Sequence, residues 1–121
     1  MTVMFLDEIR LIILLMIIDI ITGIINGMVN KTLSHITFKN GLIQKLTTLF
    51  LLTASMVMET IFLKCSSYFE ISITNIHIFN FTLLYTSSIE MISIGTNLKG
   101  CGLKIPSRWT AFFKEIIENL K

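Results

Sequence analysis

The chain has 121 residues, of which 53% are hydrophobic and 15% charged, with a formal charge of +2 and a mean hydropathy of +0.77. A soluble domain of this length has too little interior to hide so much hydrocarbon, and aromatic residues set in apolar runs, with so small a net charge, do not suit a nucleic-acid surface. The expected fold is an all-α integral membrane protein, a single membrane domain over 1–121. It has three transmembrane helices, over about 9–29, 42–63 and 76–97, and a C-terminal amphipathic interfacial helix over about 106–120.

The amino terminus, MTVMFLDEIR, puts Asp7 and Glu8 ahead of the first apolar run and is followed by no A-x-A site, so it does not read as a cleaved signal. Met1 and Met4 are two available starts, but Thr2 and Val3 add no charge that a shorter form would lose. The first span then runs through LIILLMII to Asp19 and on through IITGIINGMVN. At 100° per residue, Thr22, Gly23, Asn26, Gly27 and Asn30 fall within about 80° of Asp19, while the isoleucines lie to the sides. A carboxylate at that depth is costly and normally faces protein or water. Gly23 and Gly27 form a G-x-x-x-G that lets another backbone approach closely. The stripe is therefore expected to be a helix interface or pore lining, although simple helix packing explains the glycines taken alone.

From Lys31 to Lys45 apolarity drops, and Asn40-Gly41 is a turn signal, so a loop is expected here, with His35 as a solvated histidine. Lys45 is expected to snorkel to the interface from the first turn of the second span. In that span Glu59 is the one deep charge, and Ser55, Thr48 and Lys45 share its side. A short mixed segment follows from Lys64 to Asn75. The third span is the least apolar, with Glu90 on a stripe with Thr86, Ser87, Ser93 and Asn97. Its apolar residues barely outweigh Glu90, Asn80 and His77, so it needs partners to insert; an amphipathic helix outside the bilayer is the alternative.

The tail breaks at Gly100, Gly102 and Pro106, then resumes with Trp109, Phe112, Phe113, Ile116, Ile117 and Leu120 at helical spacing. About 15 residues are too few to span, and the segment suits the membrane interface, with Arg108 and Trp109 at headgroup level. Docking on another subunit is the other reading.

With three spans, Lys31, Lys39, Lys45, Lys99, Lys104, Arg108, Lys114 and Lys121 share one side, against Arg10 and Lys64 on the other. The positive-inside rule then places the N-terminus outside and the C-terminus in the cytoplasm. Cys65 and Cys101 lie on opposite sides in that topology and cannot pair within one chain, which leaves free thiols or an intermolecular bridge at Cys65.

No G-x-S-x-G, H-E-x-x-H, P-loop or C-x-x-C occurs, so neither an enzyme nor a cofactor or metal site is expected. One acid per span on a polar stripe suits two designs. In one, the acids pair with lysines or polar groups inside a bundle that carries protons or substrate; in the other, polar faces stay hidden until several copies turn them towards an aqueous lumen.

The order and spacing of several short elements add to this. They are Asp19-Ile-Ile-Thr-Gly23 with Gly27, Lys31-Thr-Leu-Ser34, Gly41-Leu with Lys45, Glu90 with Ser93-Ile94, Asn97-Leu98, and Gly102-Leu-Lys-Ile-Pro106. On these the chain resembles the bacteriophage holins, in particular the group that includes toxin-secretion holins; where that pattern carries an acid beside Ser93-Ile94, this chain has Gly95-Thr96. The resemblance implies a protein that oligomerises with itself in the cytoplasmic membrane of a bacterial cell and opens lesions for pore formation. Its functional partner is then an endolysin, released for host cell lysis, or a secreted toxin. A small transporter or accessory subunit that uses the intramembrane acids is the alternative.

Overall fold

A computed structural model describes residues 2–70 and 77–121, with side chains from residue 6 onward within those ranges. All regular structure among the described residues is helical: α1 (Thr2–Val29), α2 (His35–Tyr68), α3 (Ile78–Gly100) and α4 (Ser107–Leu120). Segments Leu6–Val29 and His35–Tyr68 are long and apolar enough to cross a membrane. In such a medium every backbone group must find its partner inside the segment, so the helix is the form these apolar runs take.

The ends of the helices follow local chemistry. Beyond Val29, Lys31 takes a left-handed conformation with φ 56°, and the N–H of Thr32 donates to the carbonyl of Gly27 at 2.9 Å. That is the bonding of a Schellman stop, with lysine where glycine is usual. The chain then reverses within a few residues, because Ser34 caps α2: its backbone is extended (φ −130°, ψ 151°) and its hydroxyl accepts from the Thr37 N–H at 3.1 Å. The loop expected up to Lys45 is thus much shorter, and Asn40 and Gly41 lie inside α2 rather than in a turn. A glycine in mid-helix costs only about 1 kcal/mol, too little to break a capped helix. The mixed segment expected to open at Lys64 is helical as far as Tyr68; residues 71–76, which include the start expected for the third span, lie outside the described residues. At the far end of α3 the N–H groups of Gly102 and Leu103 donate to the carbonyls of Lys99 and Leu98. Gly102 there has φ +95°, a position that requires glycine.

Helix α3 packs against each of the other three helices. Ile12 and Met16 of α1, Leu52 of α2 and Phe79 of α3 form a small buried core. The opposite faces of α1 and α2 are apolar and uncovered, with Leu11, Leu14, Ile18, Ile21, Ile25 and Met28 on α1 and Leu46 and Phe50 on α2 all exposed. The protein is therefore greasy outside, and most of what it buries besides those four side chains is polar. Asp19, Thr22, Ser55, Glu59, Ser66, Thr86, Ser88 and Glu90 are all buried.

Candidate functional site

The buried polar groups converge on one lysine. Lys45 Nζ donates to Asp19 Oδ2 at 2.5 Å and to Glu90 Oε2 at 2.7 Å, which ties α2 to both α1 and α3. The side chains of both acids are only 8% exposed and that of Lys45 14%, so the trio is shielded from solvent. Lys45 does not snorkel outward as expected: with α2 beginning at His35, it lies well inside the helix, and two carboxylates on the neighbouring helices draw it inward.

The three charges meet because they share a level. Asp19 lies ten residues before Val29, Lys45 ten after His35 and Glu90 ten before Gly100. At 1.5 Å per residue each sits about 15 Å from the same end of the bundle, half of a roughly 30 Å hydrocarbon core. The unscreened attraction between such groups is strong in a poorly polarisable medium. Two carboxylates against one ammonium leave one formal negative charge, and amide and hydroxyl dipoles gather round it.

Asn97 of α3 supplies the main dipole. Its Nδ2 donates to Asp19 Oδ1 at 2.9 Å, with the carbonyl oxygen of Asp19 and Thr22 Oγ1 each at 3.2 Å. Thr22 in turn donates back to the carbonyls of Ile18 (2.9 Å) and Asp19 (3.0 Å). Gly23 is where α1 and α3 come close, since a Cβ there would stand 3.4 Å from Asn97 Nδ2. One turn on, Asn30 Nδ2 donates to Asn26 Oδ1 (2.6 Å) and to the carbonyl of Gly100 on α3 (3.0 Å). A side chain at Gly100 would run into Asn26. Part of the stripe from Asp19 to Asn30 is thus met from within the chain, by α3 and by Lys45, while Gly23, Asn26 and Gly27 also border open space. Gly27 faces Leu33 of the α1–α2 turn, at 3.1 to 3.2 Å from an added Cβ.

The structure does not bring all the sequence-derived candidates together. Glu59 and Ser55 are buried, but fourteen and ten residues further along α2, about 21 and 15 Å from the level of Lys45. Ser55 bonds its own helix at the Leu52 carbonyl. Among the described residues Glu59 has no ion pair. Thr86 is buried one turn from Glu90 and bonds back to Thr82 and Leu83. Ser93 lines a cleft of about 350 Å³ that opens between α1, the α1–α2 turn and the start of α2; Asp19, Lys45 and Asn97 form its inner end. Ser88 is buried without having been singled out from the sequence, while Lys45, read from the sequence as an interfacial residue, is the centre of the network. The shared face of Lys45 and Glu59 is visible in the sequence; the depth that matches Lys45 to Asp19 follows only once Ser34 is taken as the cap of α2.

Helix α4 turns Trp109, Phe113, Ile116, Ile117 and Leu120 to half-buried positions and packs on α3, while Arg108 and Phe112 are exposed. Phe113 makes edge contacts with both Trp109 and Phe112, with centroids 6.3 and 5.3 Å apart. Both cysteines are free, Cys65 exposed and Cys101 half-buried. No group of three or more histidine, cysteine or acidic side chains among the described residues is placed to hold a metal ion.

Residues 4–121 match the model of a family described as the bacteriophage holin family, which covers nearly the whole chain. No curated protein and no solved structure matches it.

Proposed function

The chain belongs to the bacteriophage holin family, and we propose that it does a holin's work through the buried ion network that joins three of its helices. A holin is a membrane protein of phage lysis that acts by assembling in the cell membrane. On this reading α1, α2 and α3 cross the bilayer, the N-terminus is outside and the C-terminus cytoplasmic. Helix α4 lies along the cytoplasmic interface with Arg108, Trp109, Phe112 and Phe113 at headgroup level. Copies accumulate with their polar stripes closed. At the set time they rearrange so that Asp19, Thr22, Asn26, Ser55, Glu59, Thr86, Glu90, Ser93 and Asn97 face a shared aqueous lumen, and Gly23 and Gly27 are freed for contacts between copies. An endolysin or a large toxin then leaves the cell.

The observation that carries this reading is Lys45 bonded to both Asp19 and Glu90 about 15 Å from one end of the bundle. It explains how a chain with charged side chains on all three helices sits quietly in lipid, since a paired and hydrogen-bonded charge avoids most of the penalty of an isolated one. It also gives a discrete closed state, because opening must break bonds between helices rather than slide greasy faces. The test is induced expression in a bacterial host, with membrane potential followed by a voltage-sensitive dye. Abrupt depolarisation after a delay is expected, whereas membranes that stay polarised at high expression refute the proposal.

A further inference from the structure

The cleft that ends at Lys45 has two kinds of wall. Ile24, Leu33, Phe38 and Leu42 are apolar, while Thr32, Ser34 and Thr37 present hydroxyls. A second hollow of about 370 Å³ shares Leu33, Ser34 and Phe38 with it. Gly41 opens the cleft further. It is helical, no turn requires it, and an added Cβ would meet nothing within 4 Å. Glycine is among the least favourable residues in a helix interior, yet here it packs against nothing in the chain and only leaves room.

The same end of the bundle is strongly positive. Lys31 and Lys39 are exposed and adjoin the lining residues Thr32 and Phe38 in the chain, and Lys99, Lys104 and Arg108, also exposed, lie at and just beyond the end of α3. No acid occurs between Asp19 and Glu59 or between Glu90 and Glu115. A hollow with apolar walls, hydroxyls and a basic rim fits a molecule with an anionic head and a hydrocarbon body.

We propose that this cleft binds an anionic phospholipid, with its phosphate between Lys31 and Lys39 and the upper part of an acyl chain along Leu33, Phe38 and Leu42. The site rests on the membrane placement proposed above and adds to it a lipid class and a location. Each basic residue close to the surface favours an anionic over a zwitterionic lipid by about fivefold.

The test uses the full chain with Trp109→Phe and Phe38→Trp, so that a single indole reports from the cleft. It is reconstituted into phosphatidylcholine vesicles that contain brominated phosphatidylglycerol or brominated phosphatidylcholine at equal mole fraction, and quenching is compared. The expected result is a preference of at least about fivefold for phosphatidylglycerol, brought close to parity by Lys31→Gln with Lys39→Gln. Gly41→Leu, which fills the cleft without changing charge, also removes it. Equal quenching by the two lipids overturns the proposal. So does a preference that survives Gly41→Leu, which then belongs to a diffuse positive surface. If neither lipid quenches and the chain does not float with the vesicles, the membrane placement itself has failed and the site with it.

Discussion

Replacing Lys45 by methionine keeps the length and most of the volume of the side chain and removes its charge. In the native arrangement Nζ lies 2.5 Å from Asp19 Oδ2 and 2.7 Å from Glu90 Oε2, all three side chains being largely buried. Its loss leaves two carboxylates facing each other across an apolar group. Removal of one partner from a buried pair costs about 3 to 5 kcal/mol, a change of roughly a hundred- to a thousandfold or more in the balance between closed and released helices. Lys45→Met is therefore expected to depolarise cells earlier than the native chain at matched membrane levels, and to lower the midpoint of thermal unfolding in detergent. The triple variant Lys45→Met, Asp19→Asn, Glu90→Gln has no buried charge left at this level, and the replacement of both sides of a buried pair by neutral groups is often close to neutral. It should return towards native timing and stability. The reasoning is refuted if Lys45→Met matches the native chain in both timing and unfolding, or if the triple variant is more disrupted than the single one.

Three further outcomes follow from the same geometry. Asn97→Leu takes the amide away from Asp19 Oδ1, and an unsatisfied buried acceptor costs about 1 to 3 kcal/mol, read as a lower unfolding midpoint in detergent. Gly100→Ala sets a methyl group against the end of the Asn26 side chain, which must turn aside from Asn30, and should destabilise by about 0.5 to 1.5 kcal/mol for the lost hydrogen bond, whereas Gly41→Ala, with open space around it, should be neutral or slightly stabilising by the same measurement. In intact spheroplasts a membrane-impermeant maleimide is expected to label Cys65 but to reach Cys101 only after permeabilisation; the reverse pattern would invert the proposed orientation.

The helical class and much of the polar network could be read from the sequence because both depend on periodicity. An apolar run in lipid becomes a helix, and Asp19, Thr22, Asn26 and Asn30 share a face whatever packs on them. Gly102 was equally legible, since a left-handed stop after a helix calls for glycine. What one-dimensional reading missed was relative depth. The Asn40-Gly41 signal suggested a turn, while the Ser34 cap, a local hydrogen bond worth about 1 kcal/mol, starts α2 at His35 and moves Lys45 inside. Once Lys45 is inside, the natural partner of Asp19 is a lysine ten residues into the next helix, and Glu59 lies too far along α2 to join them. The glycines of α1 read as a place of close helix approach, and within the chain Asn97 stands beside Gly23 and Leu33 beside Gly27.

The most direct test is to lock the closed arrangement by a covalent link. Gly23 and Asn97 face each other across α1 and α3, so Gly23→Cys with Asn97→Cys, in a chain with Cys65→Ser and Cys101→Ser, places two thiols where a disulfide or a short bifunctional reagent can join them. The chain is reconstituted into vesicles loaded with a self-quenched dye, and release is followed in linked and reduced samples. If the polar faces must separate for the membrane to open, linked vesicles hold their dye and reduction releases it. Equal release from linked and reduced chains would show that the membrane opens without parting α1 from α3, and would contradict the role given to the buried network.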